Sequence, residues 1–353
     1  MVTRRGRRPA PRIPWRRAAA PLALLLTATV AAAVAVDHTA PPVRVAVRST
    51  PTLSAPARTP EDDVGGFVDP TPPATGAVVA GVHAPGGPHL TLPILLYHYI
   101  RVNPVPSDQV GWNLSVTPPN FAEQMAFLRF IGAHTLTLGD ALEALRTGRP
   151  LPPRSLILTF DDGYFDFASR AAPVMFQDGL RGTVFVVSGF LGRNGYMTRA
   201  QVRQVAAMGM VVGCHTVSHV GLAGVPPAFA QQQIDIAHQQ LQQLLGTPVP
   251  DFAYPYGSYD PAVEQLVKQD GFADAVTTDE GAELFLSQPY AWPRYRVGGS
   301  DTLVSFAHKA LFGMPLESIN HLVGGFLVSP QANPSQSARP ATAQIDEDSR
   351  RDA

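Results

Sequence analysis

The sequence predicts an α/β fold, a mainly parallel sheet flanked by helices and built either as a barrel or as an open doubly wound sheet. Three observations carry this. Between about residues 91 and 322, apolar strand-like runs alternate with amphipathic helical patterns. Helix start and stop signals stand between those runs. Ionisable or site-type residues directly follow four of the apolar runs, and in such folds catalytic groups gather at the C-terminal ends of strands.

The strands are predicted at LPILLYHY, SLILTF, GTVFVV, MVVGC, FAYP and FADAVTT, taken in chain order. Asn120 with Glu123 reads as a capping box before FAEQMAFLRFIG, and Thr198 with Gln201 as another before AQVRQVAAMG. Asp260-Pro261 supplies a cap and a first-turn proline for AVEQLVKQDG, which closes at Gly271. A long Gln-rich helix is predicted from Ala228 to Leu245, ended by Gly246.

The rest of the 353 residues divides around this block. Seven arginines (Arg4, Arg5, Arg7, Arg8, Arg12, Arg16 and Arg17) precede the uncharged run Ala18–Val36. That run approaches the roughly 20 residues needed to span a bilayer. Its flanking charges predict an inside N-terminus and an exported remainder, with a membrane as partner. Two readings stay open for residues 1–36: a signal peptide cleaved near Ala33-Val34-Ala35, or a retained signal anchor. Residues 37–90 are dense in Pro, Ala and Thr, predicting a disordered or extended linker, and residues 323–353 read as a tail of the same kind. Without the seven N-terminal arginines, 20 basic residues face 28 acidic ones, a net of −8. Nucleic acid is therefore excluded as a partner of the body of the chain. The single cysteine, Cys214, excludes a disulfide framework and a Cys-rich zinc module.

Chemistry concentrates at the predicted strand ends. SLILTF runs into Asp161-Asp162-Gly163, MVVGC into His215-Thr-Val-Ser-His219, FAYP into Tyr256-Gly257, and LPILLY into His98. Adjacent aspartates could merely cap a helix. The i, i+4 histidines, however, are expected to share one side of a helical turn and to offer a divalent ion two ligands. One Asp plus two His is a facial ligand set that leaves positions open for water and substrate, and the second Asp is then free to serve as base.

TFDDG, the strand GTVFVV, HTVSH and YPYG, in this order, resemble the NodB-type polysaccharide deacetylases, carbohydrate esterase family 4, over about Leu92 to Leu311. The resemblance implies a distorted (β/α) barrel and metal-dependent removal of N-acetyl groups from an aminosugar polymer. It implies Asp161 as catalytic base and Asp162, His215 and His219 as ligands of a divalent ion, Zn2+ foremost, with Co2+, Ni2+ or Mn2+ as alternatives. It also implies that the Tyr256 backbone N–H helps to hold the oxyanion.

Two departures stand out. The Arg that often orients the base is replaced by Ala253, and Arg294 in WPRYRV is the candidate substitute. The usual downstream acid histidine is missing, since His308 falls in a helical pattern. His98 is the candidate acid, and its YH setting resembles the biofilm-polysaccharide branch. Cys214, Trp112, Trp292, Tyr254 and Tyr290 read best as packing residues, and His38, His83 and His89 as linker residues. The reading ranked first is an extracytoplasmic N-deacetylase of a GlcNAc-containing glycan. An O-acetyl polysaccharide esterase comes second and a non-catalytic glycan-binding module third.

Overall fold

The computed structural model describes residues 86–329. The Arg-rich start, the Ala18–Val36 run, most of the expected linker and the end of the expected tail lie outside the described residues. Among the described residues, no helix is long and apolar enough to cross a membrane.

The strands are β1 (His89–Thr91), β2 (Ile94–Tyr97), β3 (Tyr99–Ile100), β4 (Ser115–Val116), β5 (His134–Leu136), β6 (Ser155–Phe160), β7 (Thr183–Val186), β8 (Val211–Cys214), β9 (Asp251–Ala253), β10 (Asp274–Val276), β11 (Glu283–Phe285) and β12 (Tyr295–Arg296). The main sheet runs β10-β9-β8-β7-β6-β2-β12, all parallel, with β5 on the start of β6. The sheet curls until one segment serves both edges. Trp292 bridges to Val276 of β10, and the following Tyr295 and Arg296 pair with Leu95 and Leu96 of β2. The predicted (β/α) architecture is therefore a curled parallel sheet. Two small ladders lie apart, β1 with β11 and β3 with β4.

The period of two along a strand sorts its side chains to two faces. Leu156, Leu158 and Phe160 of β6 join the large cluster under the outer helices, which includes Phe121, Val205, Ile234, Val263 and Phe306. Ile157 faces the smaller inner cluster with Ile94, Phe185, Ala253, Val276 and Trp292, closed by Leu138, Leu142 and Leu145 from the helix Leu138–Thr147. By the same alternation, Asp161 continues the inner row of Ile157 and Thr159.

Several sequence expectations need correction. The helix holding FAEQMAFLRF begins at Pro118, capped by Thr117, whose hydroxyl accepts the Asn120 N–H. Asn120 is thus inside the helix, because a cap followed by a proline with preset φ starts the helix earlier. The expected tail from residue 323 is also too early: the helix Leu316–Leu327 buries Ile319, Val323 and Phe326. At the other end, His89 belongs to β1 and stacks on Phe285, rather than lying in a linker. The Thr198–Gln201 capping box, the Asp260 cap and the Gly246 stop all form where expected.

Candidate active site

The ends of β2, β6, β8 and β9 bring together His98, Asp161, Asp162, His215 and Tyr256. Asp161, Asp162 and His215 are each at most 4% exposed. Local backbone makes this possible. Among the described residues, the non-glycine positions with positive φ are Arg154, Asp162, Thr216, His219 and Tyr256. Four of these five belong to the site. A left-handed backbone at a β-branched residue such as Thr216 is costly and persists only where the surroundings dictate it.

These angles correct one expectation. His215 and His219 do not sit on a helical turn; they flank a non-helical turn in which Thr216 has φ 66° and His219 φ 54°. The Thr216 hydroxyl accepts the His219 N–H at 3.0 Å and fixes that turn. The imidazoles still converge, with ring centroids 4.9 Å apart. Gly257 holds the neighbouring Tyr256 turn: its φ is +66°, and a Cβ there would run into the Thr278 hydroxyl.

Asp162 Oδ1 lies 3.0 Å from His219 Nε2 and 3.4 Å from His215 Nε2. This buried oxygen nevertheless lacks a hydrogen-bond partner. His215 Nδ1 is 2.7 Å from the Ala253 carbonyl, which can only accept, so Nδ1 carries the proton and Nε2 presents its lone pair. His219 Nδ1 is 3.1 Å from the Tyr256 hydroxyl. A carboxylate oxygen facing a ring lone pair in a buried site calls for a cation, and ligand histidines are oriented in this way through their other nitrogen. One atom from each of Asp162, His215 and His219 lies within 4.8 Å of the others. The donor set fits a divalent ion of the borderline class. Burial opposes ionisation of Asp162, but the positive charge that His219 carries when protonated, together with N–H contacts from the two imidazoles in that form, outweighs it and holds the carboxyl well below the usual carboxylate range.

Arg294 is fully buried. Its Nη1 and Nη2 donate to the two oxygens of Asp161, each at 2.8 Å, in a bidentate pair. Nε donates to the Thr277 carbonyl at 2.7 Å, and Nη1 also reaches the Thr159 hydroxyl at 3.1 Å. Burial alone would raise the Asp161 carboxyl, but the guanidinium outweighs it and keeps the group low. Asp161 is therefore an anion held in one orientation.

His98 directly follows β2, with its Nδ1 sealed from solvent and unpartnered. Burial pushes the ring down to about 4, although Asp162 and Asp161 pull the other way. The resting imidazole is neutral. His308 lies in the helix Leu303–Ala310, outside this group. Cys214, Trp292 and Tyr254 are buried packing residues, and Trp112 is 41% exposed. Sequence reasoning missed Asp166 and Arg170, which bind the backbone just after His98. Their i, i+4 spacing directly downstream of DDG marks a charged pair, but nothing local in the sequence points to the Ile100 peptide as its partner.

An oriented carboxylate beside a three-residue ion site, at the C-terminal mouth of a parallel sheet, is the layout of hydrolases that set water against a carbonyl centre. Residues 148–275 match the family model described as polysaccharide deacetylase, and this segment carries that domain. YxkH of Bacillus subtilis, whose name assigns it to the polysaccharide deacetylases, is 29% identical over 206 residues, covering 58% of this chain and 71% of its own. The poly-β-1,6-N-acetyl-D-glucosamine N-deacetylase of Escherichia coli K12 is 26% identical over 242 residues, 56% of this chain, and the match spans only 36% of that enzyme. The Streptococcus pyogenes deacetylase PplD, solved in complex with acetate, superposes with a TM-score of 0.59 at 25% identity, over 63% of this chain and 98% of PplD.

Proposed function

We propose that the chain removes N-acetyl groups from a GlcNAc-containing polysaccharide outside the cytoplasm, with a β-1,6-linked polymer as the favoured substrate. The observation that carries the chemistry is the Arg294–Asp161 clasp next to Asp162, His215 and His219. The likeness to the E. coli enzyme supports the choice of polymer.

A divalent ion held by Asp162, His215 and His219 supplies Lewis acidity towards water and the acetyl carbonyl. Asp161 takes the proton from water, and Arg294 keeps its carboxylate ionised and aimed. The Tyr256 backbone N–H is assigned to the developing oxyanion. An amide can leave only as an amine, so a proton must reach nitrogen. His98 is assigned that delivery. Its ring is neutral at rest, so it passes on a proton that it first acquires, and the one taken up by Asp161 is its source.

The exported location rests on the arginines ahead of Ala18–Val36. A phosphatase fusion after residue 90 should be active outside the cell membrane and inactive without residues 1–36. For the reaction, purified protein loaded with Zn2+ should release acetate from a β-1,6-linked GlcNAc oligomer. Release from acetylated xylan alone would favour an O-acetyl esterase. Metal binding with no release from either substrate, or from chitooligosaccharide, would favour a binding module.

A further inference from the structure

His98 Nδ1 has no hydrogen-bond partner, so no bond at that nitrogen holds the ring, and the backbone on either side helps to place it. Upstream, Tyr97 is fixed in the main sheet opposite Phe160. Downstream, the chain leaves that sheet: Tyr99 and Ile100 pair with Ser115 and Val116 of β4, and the Tyr99 N–H donates to the Leu114 carbonyl at 3.0 Å. In a parallel ladder successive residues bond on opposite sides, so the Ile100 N–H and C=O point away from β4. Ile100 is fully buried, so both groups need partners.

The partners come from the stretch just past Asp161-Asp162. Asp166 Oδ2 accepts the Ile100 N–H at 3.0 Å, and Arg170 Nη1 donates to the Ile100 carbonyl at 2.9 Å. The Tyr164 ring stacks on Tyr99 with centroids 3.8 Å apart, and the Arg101 guanidinium lies 3.3 Å from the centre of the Tyr99 ring. One segment thus carries both aspartates and holds the residues that follow His98.

We propose that Asp166, helped by Arg170, is a positioning residue that clamps the Ile100 peptide and thereby fixes His98 relative to Asp161 and Asp162. The inference rests on the reading that His98 acts in the reaction. The clamp needs an acceptor rather than a charge. Burial pushes the Asp166 carboxyl up to about 6 against the pull of Arg101, so the charge is disfavoured in this pocket and the neutral form takes over below that pH. Asparagine can make the same contact to Ile100.

The experiment is a double-mutant cycle on the zinc-loaded protein with His98→Ala, Asp166→Ala and the double variant, plus Asp166→Asn and Arg170→Ala. kcat and KM are measured on an N-acetylated oligosaccharide and on an aryl acetate, with Tm and bound zinc for each variant. Asp166→Ala should lower amide kcat about 10–100-fold, the scale of a small misplacement of a reacting group. It should leave KM and aryl acetate turnover within a few-fold. Asp166→Asn should recover most of the loss, and the double variant should be no worse than His98→Ala alone. Multiplicative losses in the double variant would overturn the proposal and leave Asp166 as a partner for a buried peptide group. If Asp166→Ala does not fold, Arg170→Ala takes its place in the cycle, since its side chain is exposed. The acid assignment is read separately, from His98→Ala alone on the two substrates. Coupling in the cycle reports the clamp whatever chemistry His98 performs.

Discussion

Arg294 and Asp161 lie 133 residues apart in the chain and meet through two parallel contacts of 2.8 Å, both side chains buried. Arg294 reaches this place because the segment from Trp292 to Arg296 crosses from β10 to β2 and so passes beside the end of β6.

Breaking this pair should cost both stability and rate. Arg294→Ala strands a buried carboxylate, a change worth about 3–5 kcal/mol of destabilisation. Arg294→Lys keeps the charge but loses the fork geometry. Forfeiting one charge-assisted hydrogen bond costs about 1.5–3 kcal/mol, so kcat should fall about 10–100-fold. Thermal melts and acetate-release kinetics test both effects. A fully active Arg294→Lys would mean that Asp161 needs no bidentate partner.

The ion site and the base should separate by mutation. His215→Ala and His219→Ala should lose most bound zinc and most activity while the domain stays folded, because these ligands sit at strand ends outside the apolar clusters. Asp162→Asn should weaken zinc binding, whereas Asp161→Asn should retain zinc and lose most turnover. Elemental analysis beside circular dichroism decides this. Stoichiometric zinc in the double histidine variant, or equal zinc loss in both aspartate variants, contradicts the assignment.

A proton donor to the leaving group contributes typically about 10²–10⁴-fold. His98→Ala should lower amide turnover by a factor in that range with zinc content unchanged. An aryl acetate expels a stabilised oxyanion and hardly needs the proton, so its hydrolysis should be nearly unaffected. Equal losses on the two substrates would place the donor elsewhere.

Far from this chemistry, Asp274 and Asp251 are register partners on β10 and β9, both buried, and none of their four carboxylate oxygens has a hydrogen-bond partner. Burial pushes Asp251 up to about 7. Burial and then the Asp251 charge push Asp274 well above its usual range, with Arg146 opposing. Folded-state values raised above an unfolded value of about 3.9 give stability that is complete below pH 4 and lost as pH rises through about 7. The domain should therefore lose stability from this pair between pH 5 and pH 8. Asp251→Asn should raise Tm at pH 8 by several degrees and flatten the dependence. An unchanged difference in Tm between the two pH values would show that the pair does not titrate in this window.

Some of this was readable from residue order alone. The six apolar runs became β2 with β3, and β6 to β10, and the caps at Thr198 and Asp260 formed as written, because strand alternation and helix capping are local effects. Asp161, Asp162, His215 and His219 stood out because each lies within a few residues of a strand end, where a parallel sheet collects polar groups on one side. The i, i+4 spacing of the histidines misled about conformation, since a helical turn and a turn built on left-handed Thr216 and His219 put the same number of residues between two converging rings.

The chain order by itself determined the parallel sheet, the strand ends and the residues offered there, since these depend on contacts within one strand, one cap or one turn. Only the tertiary structure decided what those residues touch. It set Arg294 on Asp161, the Ala253 carbonyl on His215, and Asp166 on the Ile100 peptide. Each of these joins segments 38 to 133 residues apart, set side by side only once the sheet has curled. Which partner a buried charge or N–H finds there depends on the closure of the sheet, and no local pattern in the sequence encodes it.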